Sequence, residues 1–173
     1  MELREASTKD APQIAAVHVE TWQAAYRALL PADFLASLDV AQRVRAWHDR
    51  LLAGEVAQST VVAERDGAIV GFAVTGASRD EGAGTGVGEL MAIYCHPRAW
   101  GTGVGRALIT DAVERLRAAG YEEATLWVLE GNARAERFYG AAGWRADGAQ
   151  KRAEIGGKIV RELRYRRDLR GVS

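Results

Sequence analysis

The stretch "YCHPRAWGTGVGRALITDAVERL" (94–116) limits what this chain can fold into more than any other. A strand-like run, "GELMAIYC", stops at His96-Pro97, and glycines follow at 101, 103 and 105. Beyond them Val104, Leu108, Ala112 and Leu116 recur every four residues, with Ile109 and Val113 beside them, until Gly120. That periodicity predicts a helix with one buried stripe. A strand, a glycine turn and a helix N-terminus in succession form a place for an anion. The first helical N–H groups lack intrahelical acceptors, the helix dipole favours negative charge, and glycine lets a ligand approach the backbone. The same glycines would also serve a turn that needs only tight helix–sheet packing.

Two phosphate signatures can be tested against this loop. Gly-x-x-x-x-Gly-Lys-Ser/Thr is absent, which argues against a P-loop triphosphatase. Gly-x-Gly-x-x-Gly fails because its last position falls on Arg106, and the loop follows several strands rather than opening a βαβ unit.

The rest of the chain reads as one α/β domain over residues 1–173. "ELREA" suits a short strand, and residues 7–30 read as a helix with Thr8 or Asp10 as cap and Pro12 in its first turn. Residues 31–52 continue as one or two helices. "STVVAERDGAIVGFAVTGAS" is a hairpin turning at Asp66-Gly67. Residues 79–88 form a glycine-rich loop, 122–130 a buried strand, 132–143 a short helix, and the tail two strands around Gly156-Gly157. The predicted order is β-α-α-β-β-β-α-β-α-β-β, a mixed central sheet flanked by helices.

With 173 residues, the chain is long enough for a sizeable core. Lys+Arg and Asp+Glu both total 23, so a broad basic face for duplex nucleic acid is not expected. No apolar run approaches membrane-spanning length, and "MELREASTKD" lacks a signal-peptide core. The lone Cys95 excludes an internal disulfide. These features lead us to expect a soluble cytoplasmic protein with neither membrane nor nucleic acid as partner. The three histidines and one cysteine show no metal-ligand spacing, so no metal is expected.

A second segment narrows the reading. "LWVLEGNARAERFYGAAGW" places Asn132 at a helix start and Tyr139 two turns on, on one face. Asn132 there is also an ordinary N-cap, and one residue can do both. With both segments in view the chain resembles the GCN5-related N-acetyltransferase (GNAT) superfamily. The pyrophosphate motif Gln/Arg-x-x-Gly-x-Gly/Ala maps onto Trp100-Gly101-Thr102-Gly103-Val104-Gly105. The motif Asn-x-x-Ala-x-x-Phe-Tyr-x-x-x-Gly-Phe appears as Asn132 through Trp144. Trp100 and Trp144 depart from the pattern, standing where Gln or Arg and Phe are usual.

The resemblance implies acetyl-CoA as co-substrate. It implies that the backbone of Ile93, Tyr94 and Cys95 pairs with the pantetheine amides. Backbone amides of Gly101, Thr102, Gly103, Val104, Gly105 and Arg106 would hold the pyrophosphate, and Asn132 would touch the pantetheine arm. The strands before and after the glycine helix would splay so that the thioester reaches the middle of the domain. Tyr139 is the implied acid for the leaving thiolate.

An amine acceptor is protonated near neutral pH and must lose a proton before attack, and the developing oxyanion needs a prepositioned backbone donor, here from the 89–95 strand. Glu89 is the first choice of base. It lies eleven residues before Trp100, a spacing that resembles the base of the histone acetyltransferase branch. An apolar cleft would raise its pKa. Glu20 and ordered water are the alternatives, and Cys95 would be the nucleophile of a ping-pong route, although a small strand residue filling the core is its commoner role. Trp22 and Tyr26 are candidates for the acceptor wall. The expected reaction is direct acetyl transfer to a primary amine, on a small molecule or on a peptide as in protein N-terminal or lysine acetylation. A non-catalytic acyl-CoA sensor is the alternative from another class. Small domains of this family often pair through sheet edges or helices, so a homodimer is among the states the resemblance allows.

Overall fold

The structure, a computed structural model, describes residues 1–54 and 58–171. The chain runs β1 (Glu2–Glu5), a 3₁₀ turn at Thr8–Asp10, α1 (Ala11–Ala25), α2 (Ala32–Ala36), α3 (Val40–Ala53), β2 (Gln58–Arg65), β3 (Ala68–Ala77) and β4 (Val87–Cys95). After a 3₁₀ turn at Pro97–Ala99 come α4 (Val104–Ala118), β5 (Glu123–Leu129), α5 (Ala133–Ala141), β6 (Arg145–Ile155) and β7 (Lys158–Asp168). The seven strands make one sheet in the order β1-β2-β3-β4-β5-β7-β6. Only β4 and β5 are parallel neighbours.

The first helix ends at Ala25 rather than near residue 30, and of the one or two helices expected over 31–52 the chain forms two, α2 and α3. Asp39 makes the second break by capping α3, its carboxylate accepting from Ala41 N–H at 2.8 Å. Asp66 and Gly67 both take positive φ, as their two-residue turn requires, and Gly156-Gly157 does the same between β6 and β7.

Each face of the sheet carries its own core. On one face the predicted stripe of α4 is buried in full, from Val104 and Leu108 to Leu116, against Ala124, Leu126, Val128 and Trp144. On the other, α1 and α3 set Ile14, Val17 and Trp47 against Val62, Phe72 and Val74. A third cluster joins α2 to the β6–β7 hairpin through Leu30, Leu35, Leu129 and Val160. Gly156 is tied to that contact, since a Cβ there would collide with the Phe34 ring.

What positions the site is a fault in the sheet. β4 pairs with β5 only through Val87↔Glu123, Gly88↔Ala124 and Glu89↔Thr125. Just beyond, the β3–β4 register slips: Thr75 faces Leu90 while Val74 faces Ala92, leaving Met91 as an extra residue. Such a bulge bends its strand and increases its twist. It bends β4 where pairing with β5 stops, and the two strands separate towards their C-terminal ends.

Candidate active site

The opening between β4 and β5 is a cavity of about 770 Å³. Ile93, Tyr94 and Cys95 line it from β4, Tyr26 from the C-terminal cap of α1, Trp127 and Val128 from β5, and Asn132, Phe138 and Tyr139 from the α5 segment. Its far end is bounded by Trp100, Gly101, Gly103, Gly105 and Arg106. Among the described residues no helix is long and apolar enough to cross a membrane. Among the described residues no group of three His, Cys, Asp or Glu could hold a metal.

The glycine turn divides into two roles. Gly101 (φ 75°) and Gly103 (φ 91°) adopt left-handed conformations, and a Cβ on either would meet nothing within 4 Å. Their bareness therefore serves backbone shape and an open cradle. Gly103 is the N-cap of α4 and has no side chain to cap it. The first intrahelical acceptor is Gly103 O, bonded to Ala107 N–H at 3.0 Å, so the N–H groups of Val104, Gly105 and Arg106 precede the helical ladder. An anion in the cradle would complete them, so the turn fits a diphosphate. Gly105 is different: a Cβ would lie 3.2 Å from the Phe138 ring and 3.6 Å from Cys95 Sγ. Its missing side chain serves helix packing. Val104 is fully buried in the core and, like Thr102, is not among the residues that line the cavity. Thr102 turns its hydroxyl to Ala99 O at 2.8 Å.

Trp100 spans the turn. Its Nε1–H donates to Cys95 O at 2.9 Å, Thr21 Oγ1 donates to the same carbonyl at 3.0 Å, and the Arg134 guanidinium lies 3.9 Å from the centre of the indole. The odd residue of the motif thus braces the loop to the end of β4. The strand repeat sorts the pantetheine-facing backbone too. His96 N–H donates to Val70 O on the β3 side, and Tyr94 O lies 3.0 Å from where a Gly71 Cβ would be. With period two, Ile93 and Cys95 turn their backbone groups to the gap and Tyr94 does not.

Two candidates differ from expectation in their surroundings. Glu89 does not lie at a strand end in an apolar cleft. It is the third residue of β4, paired on both sides and 2% exposed. Its carboxylate accepts from Arg79 N–H at 2.8 Å and from the Arg79 guanidinium. The sequence hid this partner because a sheet register, not spacing, brings the two together. Glu20 bonds His96 Nε2 at 2.8 Å on the surface, away from the cavity lining.

Asn132 caps α5, its Oδ1 accepting from Ala135 N–H at 3.3 Å, while the residue also lines the cavity. Tyr139 lines the same cavity, and burial first, then the neighbouring Tyr94 and Cys95, pushes its phenol far up. Burial also pushes the Cys95 thiol up to about 11. Tyr26 is at the cavity wall. Trp22 is not; it packs edge-on against Tyr26 at 5.1 Å.

A splayed parallel pair with a bare helix N-terminus at one end and a phenol between the strands defines an acyl-CoA-dependent acyltransferase fold. The model of the acetyltransferase (GNAT) family matches residues 20–144, and the chain belongs to that family. It is 36% identical over 130 residues to the uncharacterized N-acetyltransferase YuaI of Bacillus subtilis, covering 75% of this chain and 72% of that one. A mycothiol acetyltransferase of Thermobispora bispora is 38% identical over 90 residues, 50% of this chain, and the match spans only 30% of its length. Among solved structures, the PaiA N-acetyltransferase of Thermoplasma acidophilum, in complex with coenzyme A, superposes with a TM-score of 0.78 at 17% identity, covering 96% of this chain and 98% of that one. The ribosomal-protein-alanine N-acetyltransferase of Brucella melitensis gives 0.74 at 24%, covering 97% and 99%. These two show the fold.

Proposed function

We propose that the chain transfers the acetyl group of acetyl-CoA directly to a primary amine while both substrates are bound. The observation that carries this reading is the position of Tyr139 in the gap that the Met91 bulge opens between β4 and β5. Bound there, acetyl-CoA supplies an activated acyl carbon. The amides of residues 103–106 hold its diphosphate, and Ile93 and Cys95 pair with the pantetheine arm. Tyr139, kept protonated by its buried site, hands a proton to the departing sulfur.

Glu89 takes the acceptor's proton once Arg79 leaves it. The Arg79 side chain is 61% exposed, so water can take over its contacts, whereas the Glu89 side chain is only 2% exposed. Cys95 is held as a thiol, and a thiol is a poor nucleophile, which favours direct transfer over an acetyl-enzyme.

Initial-rate kinetics with varied acetyl-CoA and amine test this. Intersecting reciprocal lines are expected; parallel lines together with an acetylated Cys95 would overturn it.

A further inference from the structure

The sheet face that carries Glu89 and Trp127 holds several carboxylates beside the cavity, none of them in its lining. Glu89 is held by Arg79. Asp80 accepts from Trp127 Nε1 at 2.8 Å and from Arg164 at 3.0 Å, and Asp147 accepts from Arg164 and Arg166. Glu162 on β7 differs. Its side chain is only 23% exposed, yet among the described residues it accepts no hydrogen bond, and its one ion-pair partner is Lys151 Nζ at 3.6 Å. A half-buried carboxylate with no hydrogen bond from the protein keeps acceptor positions open to a ligand.

Lys151 shows what the corner takes. Its ammonium stands between the Glu162 carboxylate and the face of Trp127, 4.2 Å from the ring centre. A carboxylate and an aromatic face together attract an ammonium by charge and by the ring quadrupole. Trp127 lines the catalytic cavity. The Glu162 charge also reaches inward. Burial is the first cause of the raised Tyr26 and Tyr94 phenols, and the bond to Glu89 the first cause of the raised Arg79, but all three also feel Glu162.

We propose that Glu162 and Trp127 form a subsite for a second, non-reacting ammonium of the acceptor, and that Lys151 occupies it in the free protein. The acceptor class is then a diamine or a longer amine carrying a cation remote from the acetylated nitrogen. Spacing sets which nitrogen sits here. β7 lies two strands from β4, about 10 Å at ordinary sheet spacing and more across a splay. Glu162 is opposite Leu129, four residues along β5 from the Thr125 that pairs with Glu89. An amine attacking beside the β4 bulge cannot also touch Glu162, whereas a cation several methylenes away can.

The inference rests on the amine acetyltransferase reading, and the experiment separates the two. The probes are 1,6-diaminohexane and hexylamine, with acetyl-CoA saturating. The wild type should prefer the diamine in kcat/KM by at least tenfold. Glu162→Gln should collapse that ratio, and Lys151→Gln, which empties the corner, should lower KM for the diamine. A ratio is insensitive to the fraction of variant that folds. Equal use of the two probes by the wild type, or an unchanged ratio in Glu162→Gln, would overturn the subsite. If neither amine is acetylated although acetyl-CoA binds, neither probe is an acceptor, and calorimetry then decides the subsite. Diamine binding lost in Glu162→Gln upholds it, and no diamine binding overturns it.

Discussion

Trp100 donates its indole N–H to the carbonyl of Cys95 at 2.9 Å, so the phosphate turn is tied to the last residue of the strand that precedes it. The bond fixes the angle between the two stretches of backbone proposed to grip the two halves of CoA. Trp100→Phe keeps a ring for Arg134 to cover but removes the bond. A net hydrogen bond contributes about 1 kcal/mol. Acetyl-CoA affinity, read by calorimetry, should weaken roughly threefold to tenfold by that amount. Unchanged affinity would show that the loop holds its shape without the tether.

The glycines of the turn should separate by phenotype. Gly103→Val forces a branched side chain into a left-handed conformation that costs at least about 1–2 kcal/mol and intrudes on the cradle. It should lower acetyl-CoA affinity by more than tenfold. Gly105→Ala presses on Phe138 instead, and should lower Tm by a few degrees with a smaller loss of affinity. Equal effects of the two on affinity would contradict the division.

Tyr139→Phe removes only the phenolic proton. Loss of a general acid is expected to lower kcat by about 10²-fold or more, with acetyl-CoA affinity within a factor of about two by the same reasoning. Because burial raises the wild-type phenol, Tyr139 should contribute no falling limb to the pH–rate profile below about pH 10. Wild-type turnover in the variant would remove Tyr139 from the chemistry.

His18 makes a separate prediction about stability. It accepts from Trp47 Nε1 at 3.2 Å, stacks on Tyr94 at 5.0 Å, and burial, then Arg43, lowers its pKa to about 4. The unfolded chain binds a proton at the usual 6.5 and the folded one does not, so stability is full above 6.5 and falls as pH drops towards 4. The loss across that window is on the order of 3 kcal/mol. Denaturant titrations of wild type and His18→Gln should show the pH slope between 6.5 and 4 flattened in the variant. Equal slopes would assign the acid sensitivity elsewhere.

Local periodicity made much of this legible. The α4 stripe, the Asp66-Gly67 turn and the strand–glycine–helix junction each depend on neighbours in sequence, and all are present as read. What was missed depends on contacts across the sheet. Phe138 explains Gly105 only once α5 is packed on α4. Arg79 reaches Glu89 because Glu89 lies inside β4 rather than at its mouth. Glu162 stands in "KIVRELRYRRD", where the run of charges gives no sign that it lies opposite Leu129 with Lys151 as its ion-pair partner. The bulge at Met91, which opens the site, leaves no mark in an unbroken apolar run.

The most direct test is release of free CoA from acetyl-CoA, followed with a thiol reagent across primary amines, diamines and amine-bearing peptides. The account predicts amine-dependent release, stoichiometric with N-acetylated product, and no acetylated protein intermediate. Tight acetyl-CoA binding with no amine-dependent release across the panel would contradict it, and would make the chain an acyl-CoA sensor.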